Sequence, residues 1–197
     1  EHGVYAYMKH FALNDQEGNR NCMAATWSNE QAIREIYLKP FEMSVKDADC
    51  HAVMSSFNYI GNRWAGGCSE LLQNVLRGEW GFLGFVETDY FGVYGYMTAD
   101  QAVRNGGDLM LCTTRNDYNN VTVLTNSSKQ AMRTSAKNIL YTVVNSRAYE
   151  AENLNPGMAK WKIVLIGADV VAALLIVGLE YTAIKNYKKR KEEEEEV

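Results

Sequence analysis

The sequence predicts an α/β fold: parallel βα units making up about the C-terminal half of a TIM-type (β/α)8 barrel, followed by one C-terminal transmembrane helix. Three observations carry this reading. Short apolar runs that end in polar residues alternate with amphipathic stretches of helical period, the pattern of parallel βα repeats. About four such units fit between residues 1 and 150, whereas a closed eight-unit barrel needs roughly 250 residues. An almost unbroken apolar stretch follows residue 160 and approaches the ~20 residues of a membrane-spanning helix.

The elements follow in order. Val4 to Phe11 is rich in aromatic residues and reads as a strand, with a polar loop from Asn14 to Asn21 after it. Ser28 is placed to cap a helix over Glu30 to Ala48, whose apolar residues Ile33, Ile36, Tyr37, Phe41 and Val45 recur at helical spacing. Pro40 is expected to disturb that helix midway. His51 to Phe57 reads as a strand, Ser69 to Leu76 as a helix stopped by Gly78, and Gly84 to Glu87 as a strand ending at Thr88-Asp89-Tyr90. A short helix at Thr98 to Asn105, a strand at Gly107 to Cys112 and a long helix at Asn126 to Ser146 complete the first 150 residues. The last helix gathers Met132, Ala136, Ile139, Leu140 and Val143 on one face, which is expected to face the core.

The expected domains are a barrel portion at 1–150, a linker at 151–160 around Asn155-Pro156-Gly157, a spanning helix at 161–184 and a charged tail at 185–197. Within 161–184 one acid, Asp169, opposes insertion by about 2.5–3.5 kcal/mol. The apolar residues around it, Val164 to Ile166, Val170, Val171, Leu174 to Val177 and Leu179, each contribute roughly −0.3 to −0.6 kcal/mol near the centre, and their sum exceeds the single penalty. Lys185, Lys188, Lys189, Arg190 and Lys191 flank the C-terminal side, which by the positive-inside rule puts the tail in the cytoplasm and residues 1–150 outside the cell.

Composition excludes some functions. The body carries no basic stripe with interleaved aromatic residues, so nucleic acid is not an expected partner. Cys22, Cys50, Cys68 and Cys112 lack paired CxxC spacing, which argues against a zinc site and leaves free thiols as the simplest state.

Three segments concentrate chemistry-bearing residues: KHFALNDQEGNR at Lys9 to Arg20, VMSSFNYIG at Val53 to Gly61, and LRGEWGFLGFVETDY at Leu76 to Tyr90. Each puts polar residues just past an apolar strand, the end at which parallel barrels build their sites. Asp89 is a carboxylate so placed, and Lys9-His10 is a cation and an imidazole so placed. REIYLKPFE at Arg34 to Glu42, Gly106 to Met110, and AKNILYTVVNS at Ala136 to Ser146 accompany them. In order and spacing these segments resemble glycoside hydrolase family 3 across residues 1 to about 150. Ala12-Leu13-Asn14-Asp15 after the KHF segment resembles its β-glucosidase and β-xylosidase branch.

The resemblance implies a retaining, exo-acting β-glycosidase that removes terminal β-D-glycosyl residues without metal or organic cofactor. It implies Asp89 as nucleophile, Lys9 and His10 as ligands of sugar hydroxyls, Met54 and Phe57 as pocket walls, and Tyr90 as a stacking surface. Phe57 stands where many relatives have tyrosine, so a phenolic hydrogen bond is absent here. The family's general acid is a Glu from another domain, and no segment here matches it. The expectation is therefore a fragment lacking the N-terminal part of its enzyme, inactive alone. The competing expectation is a membrane-anchored carbohydrate-binding fragment without catalysis. Asp15 and Arg20 are candidates for an ion pair supporting Lys9-His10, while Trp64 and Trp80 are candidate sugar platforms, with Trp80 better suited to the core.

Overall fold

The computed structural model describes residues 3–91, 94–113, 117–150 and 157–195. The chain divides into two compact units, Glu1–Glu150 and Ala151–Val197. Most of the segment expected as a linker, 151–156, lies outside the described residues.

The first unit is organised by β1 (Tyr7–Phe11), β3 (Ala52–Ser55) and β6 (Phe85–Glu87), all parallel in the order β1-β3-β6. The central β3 has the sequence AVMS and buries Ala52 and Val53 fully, as a strand flanked on both sides must. Phe85 N–H donates to the His51 carbonyl at 3.2 Å, and the two chains meet there so closely that a Cβ on Gly84 would overlap that carbonyl. The glycine is what permits this strand pairing. A smaller sheet of β2 (Ala25–Thr26), β4 (Tyr59–Ile60) and β5 (Arg63–Trp64) was not foreseen, because two-residue strands leave no readable alternation.

Four expectations are corrected here. First, the described residues form no closed barrel and no complete run of strands. The sheet has three strands, and the strand expected at Gly107 to Cys112 reduces to one parallel bridge between Glu87 and Leu109. The family of folds is α/β, but a half-barrel is not what the topology shows. Second, Asn29, not Ser28, caps the first helix, accepting the Ala32 N–H at 2.8 Å. That helix is α1 (Glu30–Ala32), which runs through a π-helical turn at Ile33–Tyr37 into α2 (Lys39–Lys46). Pro40 lies in the first turn of α2, where a missing N–H is harmless, so it starts a helix rather than disturbing one.

Third, the π-helix Glu70–Glu79 passes Gly78 without stopping, and the left-handed residue that turns the chain is Gly81, with φ +75°. Fourth, after α3 (Ala99–Arg104), α4 (Asn126–Val144) buries Ser128, Ser135, Asn138 and Thr142, while Leu140 and Val143 are exposed. The face toward the core is polar because it must satisfy buried acceptors. Ser135 Oγ donates to the Gly107 carbonyl at 3.1 Å and Asn138 Nδ2 to Asp108 Oδ1 at 3.0 Å.

The core lies between the sheet and these helices. Phe11, Val53, Leu72, Leu76, Val86 and Phe82 form its main cluster. Phe57, Trp64, Phe91, Met97 and Ala102 form a second one near the C-terminal ends of the strands. The second unit contains α5 (Lys160–Glu195), long and apolar enough to cross a membrane by length and composition.

Candidate active site

Polar residues follow the C-terminal ends of all three parallel strands, and backbone bonds tie those ends together. Ser56 N–H donates to the Phe11 carbonyl at 3.0 Å, Asp89 N–H donates to the Ser55 carbonyl at 3.0 Å, and the Thr88 N–H donates to Leu109 at 3.0 Å. Ser56 Oγ and Asn58 Nδ2 both donate to the Ala12 carbonyl, at 3.1 and 3.2 Å. Asp89 is thus fixed by its own backbone to β3, one strand away from the segment that carries His10.

Asp89 is 8% exposed, and both of its carboxylate oxygens are engaged. Oδ1 accepts the Tyr90 N–H at 2.7 Å. Oδ2 lies 3.2 Å from His10 Nε2 and accepts from Arg20 Nη1 at 3.1 Å. The Arg20 guanidinium supplies the opposite charge a buried carboxylate requires. It forms an ion pair in turn with Glu17, Nε to Oε2 2.9 Å, and lies over the Phe57 ring at 4.7 Å. Phe57 is also met edge-on by Tyr94 at 5.4 Å, and its carbonyl accepts from Tyr96 Oη at 3.0 Å. The result is a buried acid beside a cation and an imidazole, walled by aromatic rings.

Burial pushes the His10 pKa below the ordinary histidine value. Asp89 opposes this, but the Lys9 and Arg20 charges add to the lowering. The lowered pKa leaves the ring uncharged at neutral pH, so its 3.2 Å approach to Asp89 is a contact of a neutral imidazole and not an ion pair. Because the folded state takes up this proton less readily than the unfolded chain, stability is full above pH ~6.5. It is lost as pH falls from there toward the lowered folded value. His10→Asn removes this proton linkage. Urea midpoints at pH 7.5 and 5.5 should therefore fall further for the parent than for the variant.

The residues singled out in the sequence fare differently. Asp89, His10 and Phe57 converge. Lys9 is exposed and reaches the cluster as a charge felt by His10. Tyr90 is 42% exposed, with its hydroxyl 3.0 Å from Thr113 Oγ1. Met54 is half-buried and pairs in register with Glu87, before the Ser55 carbonyl that holds Asp89. The Asp15–Arg20 pair does not form; Arg20 instead bonds Glu17 and Asp89. Its spacing from His10 gave no signal that it would reach an acid 69 residues later in the chain. Neither tryptophan candidate is a platform. Trp64 is fully buried, donating from Nε1 to the Ser56 carbonyl at 2.9 Å, and Trp80 packs on Phe11 with ring centres 5.8 Å apart.

With this geometry in place, similarity to known proteins becomes informative. Residues 1–140 match the family described as "Glycosyl hydrolase family 3 N terminal domain", and the chain belongs to that family. It is 44% identical over 107 residues to beta-glucosidase B of Emericella nidulans, covering 54% of this chain and 12% of that protein. It is 47% identical over 90 residues to a beta-glucosidase of Rhizobium radiobacter, covering 46% and 11%. Among solved structures, beta-glucosidase 3B of Thermotoga neapolitana in complex with glucose superposes with a TM-score of 0.64 at 30% identity, covering 77% of this chain and 22% of that one. The GH3 beta-glucosidase of Bifidobacterium adolescentis does so at 0.64 and 28%, covering 74% and 21%.

The chain therefore spans about an eighth of the length of such curated relatives. The match also corrects the expectation of a C-terminal barrel piece whose N-terminal part lies elsewhere: the matching residues are those of the family's N-terminal domain. The motif-bearing strands that suggested a later barrel segment are part of that domain itself.

Proposed function

We propose that this chain carries the nucleophile and part of the sugar pocket of a retaining β-glycosidase of β-glucosidase type. The observation that supports it best is the convergence of His10 Nε2 and Arg20 Nη1 on one oxygen of the buried Asp89. Retention requires a carboxylate that attacks the anomeric carbon, expels the leaving alkoxide and forms a glycosyl ester, which water then cleaves. In this reading Asp89 forms that ester. Arg20 and His10 hold the carboxylate in place, and the Lys9 ammonium, exposed beside them, bonds hydroxyls of the terminal sugar. Phe57 and Met54 bound the apolar side of the pocket, and Tyr90 offers a face for stacking at its rim.

A general acid must protonate the departing oxygen. Glu17, the other carboxylate in the cluster, is occupied by Arg20 and largely exposed, so the proposal assigns this role to a Glu outside residues 1–140. The proposed arrangement at the membrane has α5 spanning it, the lysine-rich end in the cytoplasm and residues 1–150 outside. The experiment is covalent trapping. A 2-deoxy-2-fluoroglucoside with a good leaving group forms the glycosyl ester readily and releases it slowly. Peptide mass spectrometry of the full-length protein should find the added fluoroglucosyl group on Asp89. A label on another carboxylate would remove Asp89 from the reaction.

A further inference from the structure

One tryptophan remains unaccounted for by the site around Asp89. Trp27 is 84% exposed, the most open large aromatic among the described residues of the first unit. It does not stand on a loose loop. It follows β2, where Thr26 is held at three points: its Oγ1 donates to the Tyr59 carbonyl at 2.8 Å and accepts from Asn58 Nδ2 at 2.9 Å, and its carbonyl accepts the Gly61 N–H at 2.8 Å. Two residues later, Asn29 caps α1. The indole is therefore presented to water from a fixed base, where burial would ordinarily be favourable.

Trp27 lines an open cleft of about 370 Å3 together with Asp15, Gln16, Ser28 and Tyr37. The lining combines two exposed aromatic rings with a carboxylate, an amide and a hydroxyl. Asp15 makes no ion pair among the described residues, and the Gln16 side chain uses its Nε2 on the Gly18 carbonyl at 2.7 Å, leaving its oxygen available as an acceptor. An apolar platform beside a few convergent polar groups is the make-up of a small-ligand site. A β-linked glucose unit fits both halves. Its equatorial substitution leaves flat C–H faces to lie on an indole, and its rim of hydroxyls donates to carboxylate and amide oxygens. Asp15 and Gln16 also belong to the loop that delivers Arg20 to Asp89.

We infer that this cleft is a second saccharide-binding site, taking β-linked gluco-oligosaccharides with Trp27 as the stacking platform and Asp15 and Gln16 as hydroxyl acceptors. The choice of sugar class rests on the proposed glycosidase reading, and the test separates the two. Calorimetric titrations use the full-length chain carrying Asp89→Ala, so that no substrate is consumed, with cellotetraose and glucose as probes. Adding Trp27→Ala should weaken cellotetraose binding by about tenfold or more and glucose binding by less than about twofold. Trp27→Phe should restore most of the loss. An unchanged thermal midpoint verifies that the exposed substitution leaves the fold intact. Cellotetraose binding that Trp27→Ala does not alter overturns the inference and leaves the Asp89 reading standing. Binding of neither sugar overturns both. A Trp27-dependent loss in a chain whose parent fails to hydrolyse β-glucosides upholds the second site and removes the catalytic reading.

Discussion

Replacing Asp89 by alanine in the full-length protein is expected to lower hydrolysis of an aryl β-glucoside by on the order of 10^4-fold or more, the scale set by loss of a covalent nucleophile. The expectation is specific because the rest of the cluster survives the change. Arg20 keeps Glu17 as its partner and keeps its place over Phe57. The backbone bond from Asp89 N–H to Ser55 is independent of the side chain. A structural role for Asp89 would predict a comparable loss of stability, so the thermal midpoint must be read beside the rate. A further readout separates a nucleophile from a carboxylate that merely orients its neighbours. Azide added to the alanine variant can occupy the vacated space and attack the anomeric carbon with a single inversion, giving an α-glucosyl azide from a β-glucoside. Recovery of turnover with that product identifies the missing group as the attacking one, whereas a stable, fully active Asp89→Ala protein would end the assignment.

The largest expected effect on stability lies at the other end of the sheet. Asp108 has a side chain 1% exposed and pairs with Arg77 Nη2 at 2.6 Å. The same carboxylate accepts the Val86 N–H at 2.8 Å and Asn138 Nδ2 at 3.0 Å, so one acid ties the π-helix, β6 and α4 together. Arg77 extends this lock by donating to the Gly84 and Gly106 carbonyls at 2.9 and 3.2 Å. Asp108→Ala leaves a buried guanidinium without its counter-charge and three donors without an acceptor. Such a break costs about 3–5 kcal/mol, a large share of the roughly 5–15 kcal/mol that holds a domain folded. Urea denaturation should show the midpoint falling accordingly. Arg77→Met with Asp108→Leu should lose less, because no buried charge is left unpaired, although the Val86 N–H and the Asn138 amide still lack their acceptor. Equal losses in the single and double variants would show that the pair itself is not the source of stability.

The sequence was most informative where local chemistry and backbone position coincide. Asp89 follows an apolar strand and Lys9-His10 lie in the last residues of another, and parallel strands bring their C-terminal ends to one edge. Their meeting could therefore be anticipated without knowing any distance, and the KHF, VMSSFN and LRGEWGF segments pointed to the family that residues 1–140 match. Sequence also located the long apolar helix, because its length and composition are properties of the chain itself.

Tertiary structure decided what depends on partners far apart in the chain. It paired Arg20 with the distant Asp89 rather than with Asp15, because a buried carboxylate needs a counter-charge more than an exposed one does, and the exposed Glu17, three residues away, is the second partner. It turned the polar side of α4 inward, against its apolar periodicity, because Asp108 and the Gly107 carbonyl are buried there and must be satisfied. It left the sheet at three strands where about half a barrel was expected, and it put Trp64 inside and Trp27 outside. Periodicity records which side chains share a face; whether that face meets apolar packing, a buried charge or water is set only when the strands and helices come together.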